Sequence, residues 1–236
     1  MNWVVTNWSQ VSEYGLAHIW LSIPPIVLGF VISIPIGWIA NRFAFSRGAI
    51  RVVSPVLLAI AGILYAVPSL PLFTLLPSLI GTKILDPINV EIALTLYALA
   101  LMVRTTADGL ASVSGDVKLS ASAIGYSTWR RFFGVELPLA GPVLLAGIRV
   151  VSVSTVSLVT VGSVIGVNSL GFFFIEGYQR AFFTEVWVGI IGTVLIALVF
   201  DTLLVLLGRW LMPWTRRQRV VARATATAQS RWAVLR

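Results

Sequence analysis

Apolar residues in this chain fall into long runs separated by short charged clusters. Five stretches carry the pattern: residues 18–40, 52–82, 92–103 with polar flanks, 137–175 interrupted only by Arg149, and 186–208 interrupted only by Asp201. About 20 apolar residues cross a bilayer as a helix. The pattern therefore predicts an all-α, polytopic membrane protein with five spans, near residues 18–40, 52–82, 88–106, 137–163 and 186–209. Residues 1–17 are expected outside, residues 18–212 form one transmembrane domain with a cytoplasmic loop over 107–136, and residues 213–236 form a basic tail.

The runs differ in how they cross. The first holds Pro24, Pro25 and Pro35 with Gly29 and Gly37, a composition that kinks a helix or lets neighbours approach closely. The second has 31 residues, about 46 Å as a straight helix against a hydrocarbon core of about 30 Å. Its stretch AVPSLPLFTLLP, residues 66–77, explains the excess: Pro68, Pro71 and Pro77 each remove a helix donor and crowd the preceding turn. Broken backbone at membrane depth survives only where protein or a water-filled cavity covers it, so this segment is expected to act as a helix break that lines a pathway or meets a subunit. The stretch SVIGVNSLGFFFIEGYQ, residues 163–179, is expected to be partly inserted or an external loop helix.

Composition sharpens the class. The chain of 236 residues is 58% hydrophobic and 11% charged, where a soluble domain carries about 25% charged residues. Its basic residues also set an orientation, because cytoplasmic loops retain Lys and Arg. With alternate loops on opposite sides, Lys83 and Arg180 oppose Arg42, Arg47, Arg51, Arg104, Lys118, Arg130, Arg131, Arg209 and the tail arginines. The N-terminus is thereby expected outside and the C-terminus in the cytoplasm, with the tail against anionic lipid. Residues 1–15 lack a basic n-region, so the first span is expected to act as the insertion signal. Nucleic acid is not an expected partner, since the basic residues sit where topology places them.

No enzyme constellation is visible. His18 is the one histidine, at the outer mouth of the first run, and reads as an interface residue; cysteine is absent, and no glycine-rich loop ends in Gly-Lys-Ser or Gly-Lys-Thr. Two charges lie inside runs, and a charge in hydrocarbon costs a few kcal/mol. Arg149 snorkels or pairs with Asp201 or with freed carbonyls as structural glue, or else it stands on a pathway as a barrier to cations.

The cytoplasmic loop carries the remaining signal. In VKLSASAIGYSTWRRFFGVELP, residues 117–138, Val117, Ala121 and Ile124 have helical spacing and Gly125 stops that helix. Ser127 or Thr128 caps a second short helix bearing Trp129, Arg130, Arg131, Phe132 and Phe133.

With Gly125 followed by Leu137 and Pro138, this loop resembles the coupling loop of ABC importer permeases of the type I, binding-protein-dependent class. Together with ALTLYALALMVRTT (93–106), VELPLAGPVLLAGIR (135–149) and SVIGVNSLG (163–171), it is similar to the branch that imports quaternary-amine osmoprotectants: glycine betaine, choline, carnitine or proline betaine. The resemblance implies a transport subunit, not an enzyme, that works with two ATPase subunits holding ATP and Mg, an extracytoplasmic substrate-binding protein, and a second copy or a different permease. Leu119, Ser120 and Ala121 stand where the family has Glu-Ala-Ala, so Asp116, one turn earlier, supplies the charge, or the contact is mainly apolar, or this chain pairs with a second, different permease that keeps the glutamate. A permease for another small polar solute such as methionine, an ion-coupled carrier and a membrane scaffold are the alternatives.

Overall fold

The computed structural model describes residues 2–44, 46 and 48–215; Arg47 and the tail arginines lie outside them. Among the described residues the regular structure is entirely helical. A short α1 (Asn2–Thr6) precedes α2 (Trp8–Ala44), and α3 (Val53–Ala66), α4 (Ser69–Ile80) and α5 (Pro87–Ala111) follow. The loop expected at 107–136 contains α6 (Gly115–Ala123) and α7 (Thr128–Arg131), which leads through a π-helical segment, Phe132–Glu136, into α8 (Leu137–Gly162). Then come α9 (Gly171–Gln179) and α10 (Phe183–Leu211).

Four helical rods are long and apolar enough to cross a membrane: Trp8–Ala44, Pro87–Ala111, Thr128–Ile165 and Phe183–Leu211. The fifth candidate is the α3–α4 pair, bent by 103°. The break falls at Val67, which is extended, and Pro68. It is stabilised from outside the segment, because the Tyr97 hydroxyl on α5 donates to the Val67 carbonyl oxygen, which the bend frees from helical pairing. Pro71 sits in the first turn of α4, where its missing N–H costs nothing. Pro77 lies inside α4 without breaking it, near the end where Gly81 N donates to the Pro77 carbonyl at 2.9 Å.

α5 is the central element and packs most extensively on α2, then on α8 and α3. Asp86 caps it, accepting from Ile88 N at 3.1 Å, with Pro87 in the first turn. The helix runs to Ala111, past the expected end at 106, because Ala107, Gly109 and Leu110 are buried there. The prolines of α2 leave its helix continuous, and its glycines serve close approach. A Cβ on Gly29 would lie 2.4 Å from Ala98 Cβ, and one on Gly37 would lie 2.5 Å from Thr106 Cβ. Polar groups seal the same seam: Asn41 Nδ2 donates to the Ala107 carbonyl at 3.2 Å, and Ser33 Oγ lies 3.3 Å from Thr106 Oγ1. His18 is not an interface residue; it is fully buried, and its Nε2 donates to the Val156 carbonyl of α8 at 2.9 Å.

Candidate functional site

The element between α5 and α8 is two short capped helices joined by a glycine turn. Ser114 Oγ caps α6 by accepting from Asp116 N, and α6 ends before Gly125, whose φ of +87° is the left-handed backbone that glycine adopts without strain. Ser127 then caps α7, its Oγ accepting from Arg130 N at 3.4 Å.

The side chains of this element are tied to it and to the membrane helices. Lys118 Nζ donates to the Leu110 carbonyl of α5 at 2.9 Å. Arg131 Nε donates to the buried Glu136 carboxylate at 2.6 Å, and its Nη1 donates to Ser122 Oγ at 2.8 Å. Arg130 lies over the Tyr126 ring, 4.8 Å from its centroid. Trp129 stacks on Trp38 of α2 with ring centroids 5.0 Å apart, and Phe132 fills the space below among buried residues of α5 and α8. α7, the π-helical segment and α8 form one continuous helical path from Trp129 into the transmembrane helix that opens with Leu137 and Pro138.

The exposed surface of this element mixes polar residues with large apolar ones. Leu119 is 70% exposed and Ile124 75% exposed, Trp129 and Phe133 are exposed and stacked on each other, and Ala121 alone of the expected apolar trio is buried. Ser120 and Asp116 are exposed on the same short helix. Asp116 thus remains available for a charge contact, but the large exposed side chains define the face, and such a face marks an interaction site.

The second feature lies within the membrane-spanning rods. Arg149 is twelve residues from the start of α8, about 18 Å in, and Asp201 is ten residues from the end of the antiparallel α10, about 15 Å in. Their common depth lets them pair. Arg149 Nε and Nη2 meet Asp201 Oδ1 and Oδ2 at 2.6 and 2.9 Å, a bidentate geometry that balances both charges. The pair is not enclosed by this chain: the side chains are 43% and 28% exposed. The helix break at Pro68, by contrast, stands apart from this pair and packs through α4 against α5 and α8.

Sequence reasoning missed two contributors. Tyr97, which satisfies the carbonyl at the break, and Trp38, which stacks on the loop, read as ordinary apolar positions, and nothing local distinguishes them.

A family model described as binding-protein-dependent transport system inner membrane component matches residues 33–217. The chain is 30% identical over 207 residues to the osmoprotectant import permease protein OsmW of Salmonella typhimurium strain LT2, spanning 86% of this chain and 93% of that protein. It is 28% identical over 221 residues to the carnitine transport permease protein OpuCD of Listeria monocytogenes serotype 1/2a, spanning 93% and 94% of the two. Its fold is similar to a chain of the methionine ABC transporter MetNI in an inward-facing conformation, with a TM-score of 0.70 at 17% identity over 87% of this chain and 96% of that one.

Proposed function

The chain belongs to the inner membrane components of binding-protein-dependent transport systems, and on that premise we propose that it imports a quaternary-amine osmoprotectant such as glycine betaine, choline, carnitine or proline betaine. It is a multi-pass permease subunit of an ABC importer. The names of its relatives support the substrate class, and the apolar, tightly tied element at residues 112–136 is the observation that carries the mechanism. ATP and Mg are held by two partner ATPases, since this sequence has no phosphate-cradling loop. Closure of the ATPases pushes on Leu119, Ile124, Trp129 and Phe133. The push travels through the Arg131–Glu136 pair and the continuous helix into α8, which alternates the opening of the path.

A second permease covers the face of α8 and α10 that carries Arg149 and Asp201. A charge at that depth facing lipid costs a few kcal/mol, and the pair is only partly covered by its own chain. Facing another permease, it is shielded and borders the path between the two. The basic residues support a cytoplasmic loop and C-terminus and an outward N-terminus. An extracytoplasmic binding protein then delivers substrate to the opposite end.

Reconstitution with the neighbouring ATPase and binding protein tests the reading. ATP-dependent uptake of radiolabelled glycine betaine or choline supports it; ATP-dependent uptake of an amino acid alone overturns the substrate class.

A further inference from the structure

At the end of the molecule opposite the coupling element, Trp20 of α2, Glu91 near the start of α5 and Asn168 beyond the end of α8 line one cavity of about 340 Å³. Three features fix its chemistry. Trp20 is exposed, so its ring is available to a guest. Glu91 is half-buried, and its carboxylate has no ion pair or hydrogen bond among the described residues. Neither basic residue at this end compensates it: Arg180 is held by Glu176 and Glu185, and Lys83 forms no ion pair among the described residues.

A half-buried carboxylate with no protein partner is left to water, and a cation brought into the cavity gains its attraction. A hard metal ion does not suit the cavity, because calcium takes six to eight oxygen ligands and only Glu91 and Asn168 offer side-chain oxygens here. An alkylated ammonium does suit it. Such a group presents methyls rather than hydrogen-bond donors, so it is held by an aromatic face and a nearby negative charge. The remaining lining, including Leu21, Leu85 and Pro87, is apolar and accommodates methyl groups.

We infer that this cavity docks an alkylated ammonium group at the outer mouth of the permease, with Trp20 and Glu91 as its recognition residues. The guest is the ammonium of an arriving substrate or of a lipid headgroup. Only the first source rests on the proposed transport function, and it makes the cavity a waypoint between binding protein and path.

The absence of cysteine permits a direct test. Asn168→Cys is introduced into the full complex and modified with trimethylammonium-ethyl or sulfonatoethyl methanethiosulfonate. The ratio of the two rates is compared with that at Tyr178→Cys, an exposed position on α9. A ratio at least roughly tenfold above that control is expected, falling to the control value with either Trp20→Leu or Glu91→Gln and kept by Glu91→Asp. Modification by neutral methyl methanethiosulfonate, unchanged across the set, controls for thiol access, and co-purification with the ATPase shows that each variant is folded.

Choline or tetramethylammonium slows the cationic reagent. Protection by phosphatidylcholine nanodiscs, but not by phosphatidylglycerol ones, identifies a headgroup as the guest; protection by free substrate in both identifies the transported molecule. A ratio equal to the control, or one that survives Trp20→Leu or Glu91→Gln, overturns the inference. Failure of the complex to transport any quaternary amine removes the proposed function while leaving the labelling ratio to decide the cavity.

Discussion

Arg149 and Asp201 form a bidentate ion pair between α8 and α10, with 2.6 and 2.9 Å contacts, and the pair is partly exposed on the surface of a single chain. Removing one partner strands the other charge. Arg149→Leu or Asp201→Leu alone is therefore expected to cost about 2–3 kcal/mol, while the double leucine variant regains most of the loss. The melting midpoint of the detergent-purified complex measures all three. Equal destabilisation by the double variant would deny that the pair balances itself.

Gly125 tests backbone strain in isolation. A Cβ there meets nothing within 4 Å, but the residue sits at φ +87°. Gly125→Ala should cost about 1–2 kcal/mol through conformation alone, with Asn tolerated better than Val. Thermal unfolding of the three variants gives the order.

Under the proposed coupling role, the exposed apolar side chains of α6 and α7 predict an ATPase contact that resists salt. Ion pairing weakens as the Debye length drops from about 10 Å at 0.1 M to about 3 Å at 1 M, whereas apolar burial does not. Co-purification of the ATPase should persist across that range and disappear in Leu119→Arg/Ile124→Asp. Loss of the ATPase on raising salt alone would assign the contact to Asp116 and other charges.

The seam between α2 and α5 predicts a contrast between glycines. Gly37→Leu places side-chain atoms where Thr106 already lies, whereas Gly62 on α3 has nothing within 4 Å of an added Cβ. The first should destabilise by about 1–3 kcal/mol or more, and Gly62→Ala should leave the melting midpoint unchanged or slightly raised, because alanine favours the helix.

Much of this arrangement is legible in the chain, for identifiable reasons. Runs long enough to cross a bilayer locate the rods, and Pro68 marks the bend because proline cannot donate. Gly125 and Ser127 mark the helix, turn, helix element through backbone rules that act within a few residues. Pairing of Arg149 with Asp201 is foreshadowed by the cost of either charge alone in hydrocarbon. Long-range partnership is not legible in the same way. His18 reads as an interface residue because its burial depends on Val156, 138 positions away. The role of Tyr97 depends on a carbonyl 30 positions earlier. The end of α5 at Ala111 follows from packing of Ala107 and Leu110, which their local sequence does not announce.

The most direct test of the central claim, that ATPase closure is transmitted through this apolar element to α8, is ATP hydrolysis and radiolabelled substrate uptake measured together in proteoliposomes. Both should be ATP-dependent and coupled in the complete wild-type complex. In Leu119→Arg/Ile124→Asp, uptake should fall at least roughly tenfold while the permease remains folded, because both side chains are solvent-facing. Undiminished coupled uptake in that variant, or uptake by the wild type without ATP, would contradict the account.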